Sequence, residues 1–239
     1  MKPEPQAFAV IPAAGIGRRM GTSVPKQYLT VHGRLVIEHT IDCLLTHSRI
    51  QAIIIAINSE DIWWPNTDYA TNRYVYTVTG GKERCNSVLN ALNLLNNLGL
   101  AKDDDWILVH DAVRPCLLHT DLDRLFATLK DTSIGGILGA SVRDTMKRTT
   151  DNGIVISTVS RHNLWHAYTP QMFRFRLLQD ALTLALQQKN IVTDEAEAIE
   201  LSGHSPILVA GDMDNIKITR PKDLKLAEMI LANRNTYNI

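Results

Sequence analysis

Cysteine is scarce in this 239-residue chain, and its three copies, Cys43, Cys85 and Cys116, lie far apart. No CxxC pair occurs, so neither a disulfide framework nor a zinc knuckle is indicated, and a reducing cytoplasm is the expected setting. HExxH is missing too, and His110 and His119 have no obvious third ligand for a transition metal. An excess of charge of one sign is also lacking, because 25 Lys and Arg balance 25 Asp and Glu. A dedicated nucleic-acid or membrane-surface protein would normally carry a basic excess, so neither partner is expected. Nor is there an apolar run of the ~18 residues that a membrane span needs. Ala7 to Gly15 comes nearest, but Pro12 interrupts it, only Lys2 precedes it, and Arg18 and Arg19 follow at once. That pattern does not suit a signal-peptide core. No internal repeat, low-complexity tract or clear interdomain linker is visible, and residues 1–239 read as one domain with a sizeable core.

What is present is a rhythm. Short runs rich in Ile and Val, at Phe8–Ile11, Ala52–Ile57, Tyr74–Val78 and Trp106–Val109, read as buried strands. Between and after them, Leu35–Leu45, Arg84–Leu98, Leu122–Leu129 and Leu177–Leu186 carry apolar residues at helical spacing. The alternation predicts an α/β fold, a mainly parallel twisted sheet flanked by helices on both faces. Ligands of such sheets bind at the carboxyl ends of strands. Three motifs fall there: the loop after Ile11, GGKER after Val78 and HDAVRP after Val109. Thr193-Asp194-Glu195 opens a further helix, with Thr193 as its N-cap, and Pro221 opens a closing one over Lys222–Leu231. Residues 142–163 break the rhythm: they are polar and β-branched, and Asp151-Asn152-Gly153 marks a hairpin turn. A hairpin this polar seldom stabilises itself. It is expected to project and pack against a second subunit; a mobile surface hairpin is the bland alternative.

The loop AAGIGRRMGTSVPKQ (13–27) sets glycines beside Arg18, Arg19 and Lys26. Glycine lets backbone approach a ligand, and free N–H groups at a helix start attract anions. The dinucleotide pattern GxGxxG fails at Met20, no acidic residue ends a second strand near position 35, and the Walker A pattern has no GK[ST]. A tight structural turn would explain the glycines but not the three cations. A nucleoside triphosphate attacked at its α-phosphorus would explain both, because the barrier there is mainly electrostatic. A phosphate monoester as attacker is already mostly dianionic at pH 7, its second pKa being about 6, and needs no general base.

The motifs PAAGIGRRM, PKQY, GGKERCNSV, VHDAVRP, VRDTMKR, LWHAYTPQ and DNIKITRPKDL occur in an order that resembles the 2-C-methyl-D-erythritol 4-phosphate cytidylyltransferase family of the non-mevalonate isoprenoid pathway. The resemblance runs from about residue 8 to residue 230. The first loop is common to many nucleotidyltransferases, whereas TMKR, TPQ and DNIKITRP together are more specific. It implies a Rossmann-like nucleotidyltransferase fold, CTP and a polyol phosphate as substrates, and Mg²⁺ as cofactor. It also implies a homodimer in which the 142–163 arm enters the partner's active site.

Carried over residue by residue, the resemblance makes Arg19, Lys26 and Lys217 catalytic, stabilising the pentacoordinate phosphorus and holding the two substrates in line. Arg18 is either a second such cation or a surface charge. Ala13, Ala14, Gly15 and Gly17 would meet the triphosphate and base through their backbone. Gly80, Gly81 and Ser87 would recognise cytosine, and Ala112 would lie against the ribose. Asp111, at a strand's carboxyl end, would contact magnesium or a sugar hydroxyl, or else cap a helix. Arg114 would reach the acceptor or brace its loop, and Thr169 would lie near the acceptor. Thr145 and Arg161 on the arm would hold the acceptor across the dimer. Two positions depart from the family pattern: Ser160 stands where an Asp usually supports Arg161, and Lys82 adds a cation near the nucleotide. Ribitol 5-phosphate as acceptor, or non-catalytic CTP binding, are the rival readings. A glycosyltransferase is disfavoured, because Asp103-Asp104-Asp105 precedes a strand instead of following one. Trp63-Trp64-Pro65 reads equally as exposed loop aromatics or local core.

Overall fold

The computed structural model describes residues 4–15 and 24–237. The chain runs through β1 (Ala7–Pro12), a short hairpin of β2 (Thr30–Val31) and β3 (Arg34–Leu35), and α1 (Val36–Leu45). Next come β4 (Ile50–Ile57), β5 (Val75–Thr79), α2 (Arg84–Asn97), β6 (Trp106–Val109) and α3 (His119–Leu129). The second half begins with β7 (Gly135–Ser141), β8 (Met146–Thr149), β9 (Val155–Val159) and β10 (Trp165–Arg174). It ends with α4 (Phe175–Gln187), α5 (Glu195–Leu201), β11 (Ile207–Ala210) and α6 (Pro221–Tyr237).

Seven strands form one sheet in the order β11-β7-β10-β6-β1-β4-β5. Only β10 runs antiparallel to its neighbours; the other pairs are parallel. The sheet is buried on both faces, which is why its central strands are continuously apolar. Along β1, Ala7, Ala9 and Ile11 pack with α1 and α3 on one side, while Phe8 and Val10 pack with α2, α4 and α5 on the other. A smaller cluster joins α6, through Ala227 and Ile230, to Val113, Cys116 and Ile218. That cluster ties the loop after β6 to the segment before α6, where Ile218 N–H donates to Val113 O at 2.9 Å.

The expected parallel sheet with helices on both faces is present, and three of its strands were not anticipated. β7 opens on two glycines, β10 carries Pro170 and Gln171 in its middle, and β11 is four residues long. None of these shows a clean period-2 pattern. Gly136 is required by the approach of β11, because a Cβ there would lie 2.1 Å from Ile207 O. At α5 the N-cap is Asp194, not Thr193: its carboxylate accepts Glu197 N–H at 3.0 Å, while Thr193 donates instead to the Glu197 carboxylate. Trp64 is core filling, and Trp63 stacks on Tyr28 at 5.8 Å.

β8 and β9 form a separate two-stranded sheet, and every residue from 143 to 158 is exposed. The turn closes with Thr150 N–H on Ile154 O at 2.9 Å, with Gly153 at φ +79°. Ile154, Val155 and Ile156 all face solvent in the single chain. Among the described residues, no helix is long and apolar enough to cross a membrane.

Gly136→Ala should lower the unfolding free energy by about 1–3 kcal/mol, because the added methyl group meets backbone that cannot rotate away. Urea unfolding of wild type and variant, followed by circular dichroism, measures it.

Candidate active site

The carboxyl ends of β1, β5 and β6 surround a cavity of about 230 Å³. Ala13, Ala14 and Gly15 supply one wall, and the segment from Gly81 to Arg84 supplies another. Gln27 fixes the first wall, donating from Nε2 to Ala13 O at 2.8 Å and Gly15 O at 3.2 Å. The second wall leans on the first so closely that a Cβ on Gly80 would lie 2.4 Å from the Ala14 Cβ. Only glycine permits that approach. Gly81 N–H donates to the Ser87 hydroxyl at 3.0 Å, and the N-terminus of α2 lines the cavity through Glu83, Arg84 and Ser87. A helix N-terminus adds partial positive charge. Lining cations are Lys26, Lys82, Arg84 and Lys217, against the carboxylates Glu83 and Asp111. The balance suits a polyanion.

Asp111 is the centre of this arrangement. Its Oδ2 lies 2.9 Å from Lys217 Nζ and 3.2 Å from Arg114 Nε, and its Oδ1 lies 3.4 Å from Arg84 Nε. Burial alone would raise the carboxyl, but Arg84, Lys217 and Arg114 outweigh it and hold it well below the usual carboxylate range. Arg114 extends the network by donating to Asn215 O at 2.6 Å. Lys26 reaches the same segment, donating to Ile218 O at 3.1 Å, so Lys26 and Lys217 converge from opposite ends of the chain.

Beneath the floor, the hydrogen bonds form a directed chain. Arg114 O can only accept, so His110 donates to it from Nε2 at 3.1 Å. His110 Nδ1 then accepts the Thr169 hydroxyl at 2.9 Å, and Thr169 Oγ1 accepts Asp111 N–H at 3.1 Å. Full burial pushes His110 down to about 4 and keeps the ring neutral. Asn215 Nδ2 donates to Thr169 O at 2.7 Å, stapling β10 to the segment that carries Lys217.

Of the residues singled out from sequence, Ala13, Ala14, Gly15, Lys26, Gly81, Ser87, Asp111, Ala112 and Lys217 line one cavity, with Gly80 behind it. Arg114 and Thr169 are buried beneath Asp111. Gly17, Arg18 and Arg19 lie outside the described residues. Thr145 and Arg161 are exposed on the hairpin and do not enter this chain's own cavity; Arg161 donates to Arg143 O. Sequence reasoning missed Arg84, Glu195, Gln27 and His110 as parts of the site. Arg84 and Gln27 stand inside motifs already quoted, GGKER and PKQY, but Glu195 gave no signal beyond a helix start.

Asp111 does not fit as a direct ligand of magnesium, because both its oxygens already face cations. Among the described residues no three potential ligands cluster, and residues 16–23 contain no carboxylate. The cavity fits a magnesium ion carried in on phosphate oxygens, not one caged by side chains. Asp103 to Asp105 lie before β6, where Asp105 accepts the Gln6 and Lys102 N–H groups, far from this chemistry. The Cys43 and Cys116 thiols, pushed up to about 12 by burial, are poor nucleophiles.

A glycine-bounded polyanion cavity at the carboxyl edge of a mainly parallel α/β sheet marks the class, that of nucleotidyltransferases. The family model described as IspD, 2-C-methyl-D-erythritol 4-phosphate cytidylyltransferase, matches residues 7–233, and the chain belongs to that family. A relative of that name from Pseudomonas entomophila (strain L48) is 50% identical over 221 residues, covering 92% of this chain and 94% of that protein. Another, from Shewanella piezotolerans (strain WP3 / JCM 13877), is 49% identical over 228 residues, covering 95% and 96%. The crystal structure of the Francisella tularensis enzyme of that name superposes with a TM-score of 0.82 at 36% identity, covering 94% of this chain and 99% of that one.

His110 titrates below its ordinary value, so the unfolded chain binds its proton first as pH falls. Its contribution to stability is complete above about pH 6.5 and is lost towards about pH 4. The difference in unfolding free energy between wild type and His110→Asn should therefore shrink across that window. Urea midpoints at half-unit pH steps measure it; a constant difference would contradict the buried neutral ring.

Proposed function

We propose that the chain transfers the cytidylyl group of CTP to 2-C-methyl-D-erythritol 4-phosphate, releasing pyrophosphate, in the non-mevalonate isoprenoid pathway. The observation that carries this reading is the convergence of Lys26 and Lys217 on a glycine-bounded cavity, in a chain whose family match spans residues 7–233. An oxygen of the acceptor phosphate attacks the α-phosphorus; the new P–O bond forms as the bond to the β-phosphate bridging oxygen breaks. Both reactants are anions, so catalysis consists of neutralising and aligning them. Lys26 and Lys217 supply the charge within the described site, and Arg19 joins them on the family pattern. No general base is needed for a dianionic attacker.

Ala13, Ala14, Gly15 and Gly17 offer backbone to the triphosphate and base. Gly81 and Ser87 face the cytosine, whose edge such short groups can read without long side chains, and Gly80 behind them lets the two walls close up. Ala112 packs against the ribose. Asp111 serves by presenting Lys217, and Arg114 and Thr169 hold the floor beside the acceptor. Bound with CTP, Mg²⁺ would screen the charge of its phosphates beside Lys26 and Lys217.

Residues 1–239 make one nucleotidyltransferase domain, with 142–163 as the arm of a homodimer working in the cytoplasm. The exposed apolar tip at Ile154–Ile156, on a two-stranded sheet that pairs with no other strand among the described residues, supports a partner subunit. Thr145 and Arg161 then complete the partner's acceptor site. Ser160 leaves Arg161 without the usual neighbouring carboxylate, and the Arg143 carbonyl orients its guanidinium instead.

Pyrophosphate release from CTP and Mg²⁺, with methylerythritol phosphate, ribitol 5-phosphate or no acceptor, tests the reading directly. Release is expected with the first alone; release with ribitol phosphate would move the acceptor assignment, and none with any acceptor would refute transfer. Lys26→Ala should lower kcat by at least about 100-fold with an unchanged circular dichroism spectrum. Near-normal turnover in that variant would remove Lys26 from catalysis.

A further inference from the structure

Glu195 is the first residue of α5, and its side chain is turned inward and fully buried. Its Oε1 lies 2.5 Å from Arg84 Nη1, while its Oε2 has no hydrogen-bond partner. Burial pushes its carboxyl upward and Arg84 opposes that push. A buried carboxylate with one half unpaired is costly, and the helix does not need it. Asp194 already caps α5, and Gln171 Oε1 accepts the Ala196 N–H at 2.8 Å. The same Gln171 donates to Asp194 at 2.9 Å and, from β10, pairs with Val109 of β6, the residue before His110. Glu195 is therefore held in a fixed relation to the Asp111 loop.

Arg84 stands between two carboxylates, touching Glu195 through Nη1 and Asp111 through Nε. Asp111 in turn carries Lys217 at 2.9 Å. Charges alternate along the row Glu195, Arg84, Asp111, Lys217, and only the first is out of reach of the cavity. Without the Glu195 carboxylate, the Arg84 guanidinium is free to turn a second N–H towards Asp111 and compete with Lys217 for it.

We infer that Glu195 is a positioning residue for group transfer: it draws Arg84 back so that Asp111 stays shared and Lys217 stays aimed into the cavity. This rests on the cytidylyl-transfer reading above. Glu195 touches no substrate and acts only through Arg84 and Asp111, so its effect must depend on Lys217.

The test is a double-mutant cycle of Glu195→Gln with Lys217→Ala, read as kcat and as calorimetric affinity for CTP with Mg²⁺. Gln keeps the size and removes the charge. Glu195→Gln should lower kcat about tenfold and CTP affinity about threefold in the wild-type background, and change each by less than about twofold once Lys217 is gone. Equal losses in both backgrounds, or no loss in either, would overturn the inference. Should Glu195→Gln fail to fold by circular dichroism, Arg84→Lys in the same cycle is expected to show the same dependence on Lys217, and its absence would count equally against it. A wild-type protein that binds CTP but releases no pyrophosphate would sink the transfer reading alone, since the affinity cycle still decides Glu195.

Discussion

A single carboxylate, Asp111, organises the active cavity by being outnumbered. Arg84, Arg114 and Lys217 all lie within ion-pair distance of it, and it keeps its charge despite nearly complete burial. Three cations could not be gathered beside one another without an anion to separate them. Asp111 thus acts as the counter-ion that makes a strongly positive cavity foldable before any substrate arrives. Its own backbone is fixed from below by Thr169 and, through Thr169, by the neutral ring of His110. The network is polar and buried, and nearly all its members are satisfied, which is the condition under which such networks give rigidity.

The sheet explains why these groups meet. β1 and β6 are adjacent and parallel, so the loops that follow them emerge side by side. β10 runs the other way next to β6, which brings Thr169 and Gln171 to the same edge from the opposite direction. Residues from five separate stretches of chain share one small volume, and their positions are set by strand register and not by loop flexibility. The parallel pairing also places the N-terminus of α2 beside the cavity, where backbone dipole and side-chain cations act in the same sense.

The central strands and the glycine contacts were legible because their physics is local. Ile53 to Ile55 and Trp106 to Val109 are apolar because both sheet faces are covered, and Gly80 is glycine because the Ala14 side chain crowds it. The cavity lining could be listed from motifs at strand ends, and all of that list within the described residues falls in or against the cavity, apart from the arm pair Thr145 and Arg161. The rest was not legible because it depends on long-range pairing. Glu195 reads in sequence as a helix start; its partner is 111 residues away. His110 reads as a stray histidine until Thr169 and Arg114 are seen on its two nitrogens. β7 and β10 lack alternation because glycine and proline serve close packing and a turn in the strand, which no period can show.

The contact between Lys26 and the carbonyl of Ile218 joins groups separated by 192 positions, under a closing helix that packs on both the Val113 loop and Ile218. During synthesis from the N-terminus, the strands of the sheet's β4–β1–β6 centre are available early, and Lys217 follows only after the other lining residues. A nascent chain halted before that point would carry the glycine loop with Asp111 paired only to Arg84 and Arg114, without the lysine that faces it. The cavity would then lack both Lys217 and the Ile218 carbonyl that holds Lys26, so the two lysines reach their places in one late step.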